Sequence, residues 1–417
     1  MKQNEIRDIG LAPSGRQKIN WVRNNMPILR GLEDQFLIEK PFVGVKISLS
    51  VHLEAKTAYL CEVLAAGGAD MSVTGSNILS TQDDVAAALV SGGMKVYAWH
   101  NATPEEYDRH IDMALSFGPN IIIDDGGDLI NMLHTKRTDL IPGVWGGCEE
   151  TTTGVIRLRA MEKDCALKVP MIAVNDAQCK YLFDNRYGTG QSVWDSIMHN
   201  TNLIIAAKRV VVGGYGWCSR GIAMRAQGLG ARVIVTEVNP VRAIEAVMDG
   251  FEVMPMLDAA SLGDIFVTAT GCEQIITTEH MLKMKEGAIL TNAGHFNVEV
   301  DMEAIEKIAV EKKEMRKNVM GYKMPNGKWL NVIGEGRLVN IAAADGHPAE
   351  IMDMSFAVQC MSALYILKNK GTLPAKVINV SAEIDTKVAN IKLASWGIKI
   401  DKLTPEQEQY LGSWNNN

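Results

Sequence analysis

The chain has 417 residues, more than one ordinary hydrophobic core accommodates, so two α/β domains are the expectation. Apolar residues make up 47% and charged residues 22%, the proportions of a packed globular protein rather than a disordered one. A formal net charge of −7 argues against a nucleic-acid-binding face, and seven scattered cysteines with no CxxC pair argue against a zinc knuckle or a disulfide framework.

The first residues carry no apolar signal segment, and no uninterrupted apolar stretch reaches membrane-spanning length. With thiols read as reduced, a cytoplasmic protein is expected. From about residue 43, short apolar runs alternate with helical patterns. Strands are expected over 43–49, 69–74, 94–99 and 120–124. Between them fall helices over 51–66 (capped by Ser50), 81–91 and 104–117. Near-continuous apolar strands separated by helices imply a parallel sheet covered on both faces. The stretch 193–207 reads as one long linking helix. A second alternation then begins, with strands over 209–213, 231–236, 264–268 and 288–292 and helices over 218–229 and 240–249. Beyond Ile341 the pattern turns mostly helical, through 349–368, and ends in a polar tail over 413–417. The fold class is α/β, with two doubly wound parallel sheets.

The strand over 209–213 runs into Gly214-Tyr215-Gly216-Trp217-Cys218-Ser219, where a helix begins. The first glycine permits a tight turn, and the second lets a pyrophosphate approach the helix N-terminus. Ser219 fills the third, usually glycine, position and is still small. Glu237 ends the next strand at the spacing of a ribose-binding carboxylate, which favours the 2′-hydroxyl of NAD over the phosphate of NADP. Arg242, close by, weakens that preference. The cofactor expected is NAD.

Four polar clusters stand outside this turn. Ile123-Asp124-Asp125-Gly126-Gly127-Asp128 puts carboxylates at the end of a parallel strand, where open α/β sheets bind ligands. Cys148-Glu149-Glu150-Thr151-Thr152-Thr153-Gly154 offers Glu150 as acid or base and three hydroxyls, and reads equally as a helix cap. On a helix begun at Asn175 or Asp176, Lys180 and Asp184 share a face. They form either a surface ion pair worth about 0.2–0.5 kcal/mol or a grip on vicinal hydroxyls, with the lysine pKa lowered so that it accepts a proton. The fourth cluster is His52, His295 in Asn292-Ala293-Gly294-His295-Phe296, and His347 in Asp345-Gly346-His347-Pro348. No HExxH pattern or Cys/His cluster supports zinc, and no metal is expected.

Together these segments resemble the S-adenosyl-L-homocysteine hydrolase family over nearly the whole chain. The most telling are Asp124–Leu129, Glu149–Gly154, Phe183-Asp184-Asn185-Arg186-Tyr187-Gly188, Gly294-His295-Phe296 and Glu335-Gly336-Arg337-Leu338-Val339-Asn340. The resemblance implies two domains around a cleft, a tightly held NAD, a nucleoside thioether substrate and a homotetramer, with no nucleic-acid or membrane partner. Its expected boundaries are a substrate domain over 1–190 completed by 348–395, an NAD domain over 191–347, and a tail over 396–417. It implies that Lys180 and Asp184 hold the ribose hydroxyls, with Asn175 orienting Lys180 and Glu150 nearby. His52 and Asp125 would move protons at the 5′ side, and His295 and His347 would line the closed site. Thr151, Thr152, Thr153, Asn185, Gly214, Gly216, Trp217, Cys218, Ser219, Arg220, Gly221, Glu237, Arg242, Ala293, Gly294, His295 and Asn340 would meet NAD.

The chain departs from the family where the purine binds, with His52-Leu53-Glu54-Ala55-Lys56 instead of His-x-Thr-x-Gln. If Glu54 faces N1 and Lys56 faces position 6, the pair fits hypoxanthine; with the reaches swapped it fits adenine. Thr189 stands where many members carry a cysteine, so no thiol is expected there. The basic C-terminal arm of the family is absent. Two other readings share the turn, a net NAD-dependent dehydrogenase and a silent NAD-holding regulator. Neither accounts for the Lys180/Asp184 and His52/Asp125 sets.

Overall fold

Most strands follow β-branched runs of the sequence, although the strands Gly146–Glu149 and Glu311–Arg316 contain no β-branched residue. A computed structural model describes residues 3–414, so the last three residues of the expected polar tail lie outside the described residues. The first half contributes β1 (Lys46–Val51), β2 (Asp70–Gly75), β3 (Lys95–Tyr97), β4 (Ile121–Asp124), β5 (Gly146–Glu149) and β6 (Met171–Ala173). Next come β7 (Arg209–Gly213), β8 (Arg232–Thr236), β9 (Glu252–Val253), β10 (Ile265–Thr268) and β11 (Ala288–Asn292). The last are β12 (Glu311–Arg316), β13 (Val319–Lys323), β14 (Trp329–Ile333) and β15 (Val377–Asn379). One sheet has the order β15-β6-β5-β4-β1-β2-β3 and is parallel throughout; the other has the order β12-β13-β14-β11-β10-β7-β8-β9. The strands β4 and β11 are buried along their whole length, as sheets covered on both faces require.

Strand order reverses between β1 and β4 in the first sheet and between β7 and β10 in the second. Crevices open at such reversals, beyond the carboxyl ends of the strands. The residues that follow those strands, His52, Asp125, Gly214–Gly216 and Ala269, all border one cavity.

Several sequence expectations are corrected. The helix expected from residue 51 begins at Ala55, because Val51 still pairs with Gly75 in the sheet. Its cap is Glu54, not Ser50: the Glu54 carboxylate accepts the backbone N–H of Lys56 at 3.0 Å and of Thr57 at 3.3 Å. The linking helix covers Thr189–Thr201 and stops where Asn202 turns left-handed, with φ 54°. The segment around Lys180 is not one regular helix. It is a 3-10 turn, Val174–Asp176, a single α turn, Gln178–Lys180, and a π-wound stretch, Tyr181–Gly188. The second sheet ends in antiparallel pairing, β12 with β13 and β13 with β14. Fully exposed β12 carries Glu311, Lys312, Lys313, Glu314 and Arg316, charges that discourage pairing with another chain.

After β14 the chain returns to the first sheet. The helix Ala349–Lys368 packs in the same apolar core as β1 and the helix Ala55–Ala66, and β15 then joins the β6 edge. This helix has the length and composition of a membrane span, but 72% of its apolar window is buried within the protein.

Candidate active site

A cavity of about 980 Å3 lies between the carboxyl ends of the two sheets. At its floor, buried Lys180 meets three groups, two from the stretch Tyr181–Gly188 and one just past β5. Its ammonium is 3.3 Å from Asp184 Oδ2, 3.7 Å from Glu150 Oε1, and donates to Asn185 Oδ1 at 2.9 Å. Asn175 Oδ1, at 3.5 Å from the ammonium and 3.1 Å from Asn185 Nδ2, fixes this arrangement from behind. Asp184 also meets His347 Nδ1 at 2.9 Å.

The protonation states here differ from the sequence expectation, in which Lys180 is depressed. Burial works to lower Lys180, but Asp184 and Glu150 outweigh it and hold the ammonium above its ordinary value. Burial works to raise Asp184, while Lys180 and His347 keep it below the usual carboxylate range. Glu150 is pushed up to about 8, by burial first and then by Asp184, against the opposing pull of Lys180 and Gln359.

A second group stands at the end of β1 and β4. His52 Nε2 is 3.5 Å from Asp125 Oδ2, and His295 Nδ1 is 3.9 Å from Asp125 Oδ1. Ser80 Oγ lies 2.7 Å from His52 Nδ1, and Ser76 Oγ donates to Asp125 at 3.2 Å. Burial depresses His52 to about 4, despite the opposing charge of Asp125, so the ring is neutral near pH 7. The ligand atoms of His52, Asp125 and His295 fall within 4.8 Å of one another, a grouping compact enough for a metal ion that the sequence reading did not anticipate.

The dinucleotide corner forms as expected. Gly214 adopts φ +88°, which favours glycine, and Gly216 precedes the helix Trp217–Gly228, where an added side chain would meet only the Arg242 guanidinium, at 3.9 Å. No side chain caps this helix, which leaves its first N–H groups for an anion. Ser219 is fully buried and tolerated because its hydroxyl donates to the Ala269 carbonyl at 3.1 Å. The close packing expected at position 219 occurs instead at Gly221, where a methyl group would collide with the Arg186 carbonyl. Arg220 turns away to pair with Glu245 and stack on Trp217, and Ser219, Arg220 and Gly221, expected as cofactor contacts, do not line the cavity. Glu237 shapes the turn, accepting N–H groups from Tyr215 at 2.7 Å, Val238 at 2.7 Å and Asn239 at 2.9 Å.

The other expected cofactor contacts, Thr151, Thr152, Thr153, Asn185, Trp217, Cys218, Arg242, Ala293, Gly294, His295 and Asn340, all line the same cavity. Asn340 is buried, and its Oδ1 has no partner, a vacant acceptor of the kind a carboxamide fills. These features fit NAD. Cys218 Sγ lies 3.6 Å from Thr189 Oγ1, so a thiol does stand beside position 189, supplied from the other wall.

Glu54 and Lys56 line the cavity as a closed pair, Nζ to Oε2 at 2.8 Å, and Lys56 also donates to the Asp345 carbonyl at 3.0 Å. Sequence reasoning missed Ser355, which donates to Asp184 at 2.8 Å, and Gln359, which donates to Glu150 at 2.5 Å. Their signal was available: buried polar residues four apart in a largely apolar helix. It also missed Asn292, whose amide binds the carbonyls of Gly294, Phe296 and Gly336 and shapes the His295 loop.

Residues 3–142 match the family model for S-adenosyl-L-homocysteine hydrolase, and residues 185–346 match the model for its NAD binding domain. The chain is 59% identical to an adenosylhomocysteinase of Thermococcus kodakarensis, over 98% of this chain and 97% of the relative. It is 57% identical to an S-inosyl-L-homocysteine hydrolase of Methanocaldococcus jannaschii, over 98% and 99%. An adenosylhomocysteinase of Thermotoga maritima is 55% identical over 96% and 99%. With both halves of the cavity accounted for, the chain belongs to the S-adenosyl-L-homocysteine hydrolase family, with NAD as its cofactor.

Proposed function

We propose that this enzyme reversibly hydrolyses S-adenosyl-L-homocysteine to adenosine and homocysteine. One observation carries the reading: Lys180, Asp184 and Glu150 share a cavity with both the dinucleotide corner and the His52–Asp125 pair. When bound, NAD supplies a hydride acceptor for C3′ and returns the hydride later, so the net reaction is redox-neutral. A 5′ thioether is a poor leaving group until a neighbouring 3′ carbonyl makes the 4′ hydrogen acidic. Asp184 and the Lys180 ammonium grip the two ribose hydroxyls. To take the O3′ proton, Lys180 must first pass on its own, and Glu150, 3.7 Å away and titrating near neutrality, receives it. His52 is neutral at working pH, so the His52–Asp125 pair first takes the acidic 4′ proton and passes it to the departing sulfur; when water adds at the 5′ carbon, the pair takes a proton from the water and returns one to C4′.

The same mechanism on S-inosyl-L-homocysteine is the second reading, favoured by the name of the M. jannaschii relative. The Glu54–Lys56 pair offers one acceptor and one donor, which complement either base in opposite registers. The test incubates the purified protein with each thioether and follows thiol release and the absorbance of bound NADH. Free NADH accumulating with turnover overturns the hydrolase reading, and the ratio of the two kcat/KM values assigns the base.

The expected assembly accompanies this proposal: a substrate domain of 1–190 completed by 348–395, an NAD domain of 191–347, and a tail from 396. The return of β15 to the first sheet supports it. A homotetramer is part of the same reading, supported by exposed Ile400, Leu403, Leu411 and Trp414 near the C-terminus. Seven free thiols accord with a cytoplasmic setting. Light scattering at working concentration checks the oligomer, and a monomeric mass refutes it.

A further inference from the structure

Glu149, on β5, has no part in the roles above, yet it is wholly buried at the junction of two active-site loops. Its Oε1 accepts the N–H of Gly126 at 2.9 Å and of Thr151 at 3.0 Å. Gly126 follows Asp125, and Thr151 leads into Thr152 and Thr153 at the start of the helix Thr152–Lys163. Its Oε2 is buried and has no partner. The packing is closed on this carboxyl: a methyl group on Gly154 would collide with it.

We infer that Glu149 is a positioning residue, which locks the Asp125 loop and the Thr151–Thr153 loop at a fixed separation so that the proton-transfer group and the cofactor-contacting threonines stay in register. The inference rests on the roles proposed above for those loops. The lock works with the acid neutral. Burial, and then the charges of Asp124 and Asp125, push Glu149 well above the ordinary carboxylate range, and its two backbone hydrogen bonds do not reverse this. Asp124, its register partner on β4, is itself pushed up to about 7, by burial first. Among the described residues, the other groups around it offer no free cation. Arg157 is held by the Gly126 carbonyl at 2.6 Å and Asp128 at 2.8 Å, His295 faces Asp125, and the Cys148 thiol is pushed up by burial. An ionised Glu149 would add a buried charge beside two carboxylates.

The test compares Glu149→Gln with Glu149→Ala in the NAD-loaded enzyme. The amide keeps the accepting oxygen, so Glu149→Gln should hold NAD, turn over within about threefold of the parent and keep its pH profile. Glu149→Ala should lose about 100-fold in turnover, the scale of a 1 Å misplacement, together with NAD retention. An infrared difference spectrum at pH 8, parent minus Glu149→Gln, should show the carbonyl stretch of a protonated carboxylic acid. A shifted pH profile in Glu149→Gln, a missing acid band, or parent-like Glu149→Ala overturns the inference. Should Glu149→Ala fail to fold, Glu149→Gln and the infrared band decide alone. Should the parent release thiol from neither thioether, the function reading fails, while NAD retention and the band still judge Glu149.

Discussion

Glu150 and Lys180 lie 3.7 Å apart, and burial with mutual attraction leaves the carboxyl near neutrality while the ammonium is held up. A base must shed its own proton before accepting another, so Glu150 sets the pH at which Lys180 works. Turnover (kcat/KM) should rise with pH through about 8 and then level. In Glu150→Gln that limb should vanish and kcat should fall by about 100-fold or more. A pH profile of both proteins is the check, and an unchanged limb in the variant refutes the proton path.

Lys180→Ala should abolish thiol release while the purified variant keeps its NAD, because the Gly214–Gly216 turn makes no bond to the ammonium, and Asn185, which does, is also held by Asn175. Cofactor content after denaturation, read beside activity, separates the two effects. Persistent activity would remove Lys180 from the chemistry.

Asp184 links stability to acid. Its folded pKa lies below its unfolded value near 3.8, so it stabilises the fold above that value, and the contribution is lost as pH falls through the folded value. Asp184→Asn leaves Lys180 with one fewer counter-charge and should cost about 3–5 kcal/mol near pH 7. Below about pH 4 the difference from the parent should shrink. Urea denaturation at pH 7 and pH 3.5 measures both, and a constant difference contradicts the linkage.

Gly221→Ala should separate the dinucleotide helix from the π-wound stretch, since its methyl group meets the Arg186 carbonyl. Overpacking of this kind costs about 1–3 kcal/mol. NAD should dissociate more readily from the variant, as gel filtration and absorbance would show. Unaltered retention would mean that the two elements give way together.

The sequence disclosed what is local. The glycine turn, the strand ends at His52 and Asp125, and the i, i+4 spacing of Lys180 and Asp184 are all written in short segments, and each lies where expected. What it hid depends on distant partners. The direction of the Lys180 shift needs Glu150, thirty positions away just past the end of β5, and Glu150 in turn needs Gln359. That Glu54 also caps its helix was hidden, because a cap and a ligand both call for a carboxylate. The strand β5 was missed because Gly146-Gly147-Cys148 lacks the β-branched residues that mark strands.

The helix Ala349–Lys368 supplies Ser355 to Asp184 and Gln359 to Glu150 after the whole second sheet has been made. The order of synthesis therefore matters. On the ribosome, the segment from Arg209 to Ile333 can form its sheet while the first sheet still lacks its β15 edge and a large part of its apolar core. The outer unit closes last, around an inner one already built. The pocket that handles reactive intermediates is thus completed only when nearly the full chain has emerged.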